Sequence, residues 1–287
     1  MSLETSQLDP QALQEFRAEV IARRNLPTIP TVLTRIIALT GVEEASGKEL
    51  IDVIEHDQAL TSKILRLANS AFFGQSRQVA TIPRAVVLLG FSTVRNLALS
   101  VKVWEALGNG VARVHLEELW AHAVAVAVAT RSLTAQLRAG DPDEAFTAGL
   151  LHDVGRLVIA LRFREHYWQA VGGAGERGPV ETLEAATFGV DHAEVGGWML
   201  EAWSLPSGIV EAVRLHHTAL GRPGLPGVLA AANRLITCTD LATGALDPEA
   251  IPLLETLTAR GISAELWAQV AAEVSAGEAL ALAGGGV

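Results

Sequence analysis

Five of the chain's eight histidines sit where chemistry can be built from them. His122 falls three residues after Leu119 and four before Val126, on the apolar stripe of a helix. His152 and Asp153 follow Ala145 and Gly149 at helical spacing, just ahead of Gly155, which reads as a turn. His192 follows Asp191, a residue suited to cap a helix, and is in register with Val195, Met199 and Trp203. His216 and His217 come after Ile209 and Val213 on the same kind of spacing. All these polar side chains therefore point toward a core.

A buried imidazole or carboxylate must be hydrogen-bonded, paired or metal-bound to offset its lost hydration. Two readings follow. Each ring can be a separately satisfied core residue, or all can converge on one polar site. A convergent set of neutral imidazoles and carboxylate oxygen matches Zn, Fe, Mn or Ni. Such a cation lowers the pKa of a bound water and makes a nucleophile for phosphoester hydrolysis. Independent inward placement of five histidines is hard to arrange, which favours the shared site over isolated core residues. Catalysis does not follow from spacing alone.

The elements that must position these residues are helices. Leu33, Ile36, Ile37 and Thr40 share one face behind Pro27 and Pro30. Ser46 and Glu49 make a capping-box pattern before Leu50, Val53 and Ile54. Asp57 is placed to cap a helix carrying Leu60, Ile64, Leu67 and Ala71. Thr81 opens a helix that stops at Gly90, and Ser92 opens another running to about Leu107, giving five helices in the first ~110 residues. Glycines in 108–114 mark the best boundary. Beyond it Leu116 begins a long helix with Leu119, Val126 and Leu133 on one stripe. Further starts fall at Asp141-Pro142, Pro179, Asp191 and Pro206, with Asp247 and Ser263 as caps for two terminal helices and a frayed end after them. No apolar/polar alternation of strand length appears. The expectation is all-α, with an N-terminal helical lobe (1–110), a second helical lobe (111–240) and C-terminal helices (241–287).

Composition narrows the function classes. Hydrophobic residues make up 49% of 287, enough for a substantial core. A formal net charge of −10 repels phosphate backbones and anionic lipid, which argues against a nucleic-acid polymer or a membrane as partner. One cysteine, Cys238, allows neither an internal disulfide nor a cysteine metal knuckle, and fits a reducing cytoplasm. The apolar stretch 123–129 is far short of the roughly 20 residues of a membrane helix, and the N-terminus carries no secretory pattern.

Read in order, the motifs resemble a known family. "LWAHAVAVA" (119–127), "GLLHDVGRL" (149–157) and "GVDHAEVGGWMLEAWSLP" (189–206), leading to the pair at 216–217, are similar to the HD superfamily of metal-dependent phosphohydrolases. "LPTIPTVLTRI" (26–36), "IEHDQALTSKILRLANSAFFG" (54–74) and "TIPRAVVLLGFSTVRNLAL" (81–99) resemble the HDOD subfamily in particular. The resemblance covers about residues 20–240. It implies that His122, His152 and Asp153, with a last ligand in "AAANRLI" (230–236), are the metal ligands of the HD site. It further implies that His192, His216 and His217 match the additional ligands of two-metal relatives such as the HD-GYP cyclic-di-GMP phosphodiesterases.

Three departures weaken the enzymatic implication. Asn233 stands where the last ligand should be aspartate, and a neutral amide oxygen holds a hard cation less well. Asp240 is the alternative ligand if that register is wrong. Arg156 replaces the lysine of the HD-GYP enzymes and does not shuttle a proton at neutral pH. "HHTALGRPGLPG" lacks the acidic and GYP signature. HDOD proteins are regarded as non-hydrolytic output modules, so the expected function is signalling by binding. Residues 1–25 and 241–287 are short for a receiver or cyclase domain, so signalling proteins are expected to come in trans. The alternative is a metal-dependent phosphohydrolase acting on a cyclic dinucleotide or other nucleotide; a third reading binds such a ligand without turnover.

Other features carry less. Asn69 and Ser70, with Phe72 and Phe73, form either an interaction feature or a local cap with core aromatics. Arg77, Arg84 and Arg95 make either an anion or partner site or an ordinary solvated, ion-paired surface. Trp198 and Trp203 suit the core better than a stacked base, and Cys238 a small hydrophobic role. No phosphate-binding glycine loop and no Gly-x-Ser-x-Gly elbow is present.

Overall fold

A computed structural model describes residues 10–22, 30–39, 47–69, 78–172, 174, 178–240 and 245–283. The helices, in chain order, are α1 (Pro10–Ile21), α2 (Thr31–Ala38), α3 (Gly47–Glu55), α4 (Gln58–Ala68), α5 (Ile82–Leu89), α6 (Phe91–Gly108), α7 (Arg113–Leu137) and α8 (Pro142–Leu151). They continue with α9 (Val154–Phe163), α10 (Glu165–Val171), α11 (Val180–Phe188), α12 (His192–Ala202), α13 (Ser207–Leu215), α14 (Gly224–Thr237), α15 (Ile251–Thr258) and α16 (Ala264–Ala283). Two-residue strands, β1 (Thr239–Asp240) and β2 (Ala245–Leu246), pair antiparallel and do not alter the all-α class.

Five of the caps written in the sequence form as expected. Asp57 accepts the Leu60 N–H at 3.0 Å, Asp141 that of Asp143 at 2.8 Å, and Asp191 that of Glu194 at 2.9 Å. Thr81 caps α5, and Ser263 Oγ takes the Leu266 N–H at 3.2 Å. Four expectations differ. Helix α6 opens at Phe91 behind Gly90 rather than at Ser92, and α15 opens behind Ala250 with no side-chain cap rather than at Asp247. Helix α1 was not foreseen: it buries only Phe16 and Val20, and its partners are remote, with Phe16 edge-on to Phe163 (5.4 Å) and Trp198 (6.4 Å). Gly155 is not a turn but lies inside α9. Ser46, Ser70, Ala71, Phe72 and Phe73 lie outside the described residues.

Helix α7 is the axis of the fold. It is buried on all sides through 123–130, because its alanines let α8, α14 and α16 approach closely. A Cβ on Gly149 of α8 would meet the Ala127 Cα at 2.4 Å, so only glycine permits that crossing. Helix α6 is the second central element. It packs on α2, α4 and α5 on one side and on α8 and α9 on the other, with Trp104 donating to the Leu150 carbonyl at 2.7 Å. No helix among the described residues is long and apolar enough to cross a membrane.

Candidate metal centre

Three helices and two joints bring the candidate ligands together. His122 comes from the first half of α7 and Asn233 from α14. His152 and Asp153 occupy the joint between α8 and α9 rather than a helix interior, so their side chains diverge from one another's helical rows. His192 is the first residue of α12, and His216 and His217 follow the end of α13. The close approach of α9 to α12 depends on Gly155: a Cβ there would lie 2.0 Å from the His192 carbonyl oxygen.

The imidazoles are held from behind so that their Nε2 atoms face inward. His152 Nδ1–H donates to the Gly149 carbonyl at 2.7 Å, and His216 Nδ1–H to that of Val213 at 2.6 Å. His192 Nδ1 lies 2.5 Å from Glu184 Oε2. Facing inward, His192 Nε2 is 3.2 Å from His216 Nε2, 2.9 Å from His217 Nε2 and 3.1 Å from Asp153 Oδ1. Asp153 Oδ1 is also 3.3 Å from His152 Nε2, a buried nitrogen with no hydrogen-bond partner. His122 Nε2 contacts Asn233 Oδ1 at 3.0 Å. Donor atoms of His122, His152 and Asp153 lie within 4.8 Å of one another, as do those of His192, His216 and His217.

Lone pairs set against lone pairs and a carboxylate repel unless a positive charge sits among them. In the metal-free protein that charge is a proton on His192. Burial alone would lower its pKa, but the carboxylates of Glu184 and Asp153 outweigh it and push it up to about 10. Burial pushes His152 down to about 4 and His217 to about 3, and holds His216 well below the usual range. Burial would raise the Asp153 carboxyl, yet His152, His192 and Arg156 keep it well below the ordinary carboxylate range. Apart from His192, the cluster thus offers neutral imidazoles and an ionised carboxylate in two adjoining sets of three, which is compatible with a divalent cation. The orphaned His152 Nε2 is the observation that most directly supports the fit.

His122, Asp153, Arg156, His192, His216, His217 and Asn233 line a cavity of about 800 Å³, together with Pro179, Val180, Leu220, Arg234 and Thr237; His152 lies behind that lining. Asn233, not Asp240, faces the cluster; Asp240 is exposed on β1. The other proposed set does not gather here. Asn69 is a staple, donating to the Leu65 and Val79 carbonyls at 2.7 and 2.8 Å and accepting the Val79 N–H at 2.7 Å. Arg84 is exposed on α5; Arg95 contacts Asn96 and stands over the Phe91 ring at 5.5 Å; Arg77 lies outside the described residues. Trp198 and Trp203 are core residues.

Glu184 and Tyr167 were missed. Both are fully buried, and the Tyr167 hydroxyl donates to Glu184 Oε1 at 2.7 Å while accepting from Arg156 Nε at 3.0 Å. The signal for Glu184 was present: it stands four residues after Val180 and four before Phe188, on the inward side of its helix.

Comparison with known proteins agrees with this architecture. The family model for the HDOD domain matches residues 26–219. A crystal structure from Shewanella amazonensis SB2B, described as a proposed phosphohydrolase, is 25% identical with a TM-score of 0.72, covering 91% of this chain and 97% of that one. An HDOD domain protein with unknown function from Geobacter sulfurreducens is 25% identical with a TM-score of 0.70, covering 93% and 89%. An uncharacterized protein of Treponema pallidum (strain Nichols) is 27% identical over 203 residues, 67% of this chain. The match spans only 38% of that relative's length.

Proposed function

The chain belongs to the HDOD domain family, and on that premise we propose that it is a regulatory module that acts by binding, with its histidine cluster holding one divalent cation and hydrolysing nothing. The observation that carries this reading is the state of Asp153. Its Oδ1 faces the imidazoles, while its Oδ2 is held by the part-buried Arg156 guanidinium at 3.4 Å. A second cation would have to displace that guanidinium. Asn233 withholds the other charge a second cation would need. The cation is of the Zn, Fe, Mn or Ni class, held by His152, Asp153, His192, His216 and His217, with His122 and Asn233 at its edge. When bound, it supplies a fixed positive charge at the cavity wall. The partners are signalling proteins met in trans, in a cytoplasmic setting that the single cysteine suits.

The rival reading is a metal-dependent phosphohydrolase for a cyclic dinucleotide or other nucleotide. It is favoured by the complete His122, His152-Asp153 and His192 set beside a cavity wide enough for a small ligand. Elemental analysis of protein purified without a histidine tag or chelator, followed by phosphodiester assays with Mn, Ni, Fe and Zn added, separates the two. We expect about one cation per chain and no turnover. Turnover that disappears in Asp153→Ala would refute the binding-module reading.

A further inference from the structure

Five residues close a ring around the cluster. Arg156 Nη1–H donates to Asp153 Oδ2 at 3.4 Å, and Arg156 Nε–H to the Tyr167 oxygen at 3.0 Å. Tyr167 O–H donates to Glu184 Oε1 at 2.7 Å. Glu184 Oε2 takes the Nδ1–H of His192 at 2.5 Å, and His192 Nε2 returns to Asp153 Oδ1 at 3.1 Å. Glu184 Oε2 also accepts the backbone N–H of His192 at 2.8 Å. One buried carboxylate oxygen therefore fixes both the main chain and the ring of His192. The ring cannot turn without breaking that pair.

We propose that Glu184 is the positioning residue of the cation centre, holding His192 and, through Tyr167 and Arg156, Asp153, so that the two groups of ligands stay in register. The inference rests on the cation-binding reading above. Glu184 touches neither the cavity nor the centre itself; it acts through His192 and is 0% exposed. Its helix, α11, has a second, weaker contact of the same kind, Glu181 Oε1 at 3.6 Å from His217 Nδ1. Carboxylates backing a metal-bound imidazole fix its tautomer and raise its basicity. Glu184 meets both conditions and adds a third, the link to Asp153.

The test is Mn and Zn affinity by chelator competition for the full chain, wild type beside Glu184→Ala, Glu184→Gln and Tyr167→Phe. We expect a loss on the order of 100-fold for Glu184→Ala, about tenfold for Glu184→Gln, which keeps an acceptor, and a few-fold for Tyr167→Phe. Histidine ¹⁵N spectra of the metal-free protein give a second readout. The His192 ring should keep its Nδ1–H on Glu184 in wild type, as a slowly exchanging, shifted Nδ1 proton, and lose it in Glu184→Ala. Should Glu184→Ala not fold, the isosteric Glu184→Gln decides the matter. Wild-type affinity in both Glu184→Gln and Tyr167→Phe overturns this inference alone. A wild-type protein that takes up no cation overturns the cation-binding reading and this inference with it.

Discussion

Cation binding should expel a proton from His192 well above the pH at which histidine is ordinarily neutral. In the metal-free protein this ring is pushed up to about 10, between Glu184 and Asp153, while its neighbours His152 and His217 stand at about 4 and about 3. A cation at the centre must take the Nε2 lone pair and so displaces that one proton. At about pH 8 an ordinary histidine releases almost nothing, because it is already neutral. Here the release should remain close to one proton per cation. The apparent association constant should climb about tenfold per pH unit from roughly pH 5 to 9, and level off above about 10. At about pH 7 the competing proton weakens binding by on the order of 4 kcal/mol. Calorimetric titration in buffers of different ionisation enthalpy counts the protons directly. The stability of the metal-free protein gives a sign check. A raised pKa contributes stability that is complete below the unfolded value near 6.5 and is lost as pH rises through about 10. Metal-free protein should therefore lose melting temperature between about pH 7 and 10 by this route. Absence of proton release at about pH 8 would refute the placement of the charge on His192.

Two substitutions test the scaffold. Gly155→Ala puts a methyl 2.0 Å from the His192 carbonyl, so α9 and α12 must separate; we expect a loss of about 3 kcal/mol in denaturant unfolding, and a loss under about 0.5 would show that the crossing yields easily. Arg164 joins α9 to α10 at φ 50 and ψ −126, a conformation suited to glycine, so Arg164→Gly should raise stability by about 1 kcal/mol. An unchanged or lower unfolding midpoint would count against strain at that joint.

Much of the helical order was legible because it is local. Asp57, Thr81, Asp141 and Asp191 cap helices through N–H groups two or three residues ahead, and a sequence displays such partners side by side. The histidines were legible for a related reason, since each shares a period with apolar neighbours. What failed to show depends on contacts across the chain. Helix α1 has a weak apolar stripe, and its Phe16 finds Phe163 and Trp198 far along the sequence. Gly155 looks like a helix stop until α12 is laid against it. Tyr167 and Glu184 belong to no histidine motif, and their role exists only because α10 packs on α9 and on α11, and α11 on the start of α12. Asn233, in contrast, was expected from the family resemblance, and it meets His122 while Asp240 is exposed on β1.

Arg156 and Asn233 act in the same direction, and charge counting shows why. Within the buried cluster Asp153 and Glu184 are the anionic groups tied to the ring, and the Arg156 guanidinium cancels one of them. With the imidazoles neutral, one net negative charge remains. The proton on His192 balances it in the metal-free state, which is why that ring keeps its proton so far above the ordinary range. A divalent cation in place of the proton leaves the cluster with a single positive charge. A second divalent cation would raise that to three, with no carboxylate at position 233 and no free oxygen on Asp153 to answer it. Burying uncompensated charge costs several kcal/mol per ion even after relaxation. The same guanidinium that completes the ring around His192 therefore limits the centre to one cation, and a single cation without a second carboxylate suits holding a ligand or a shape better than activating a water between two metals.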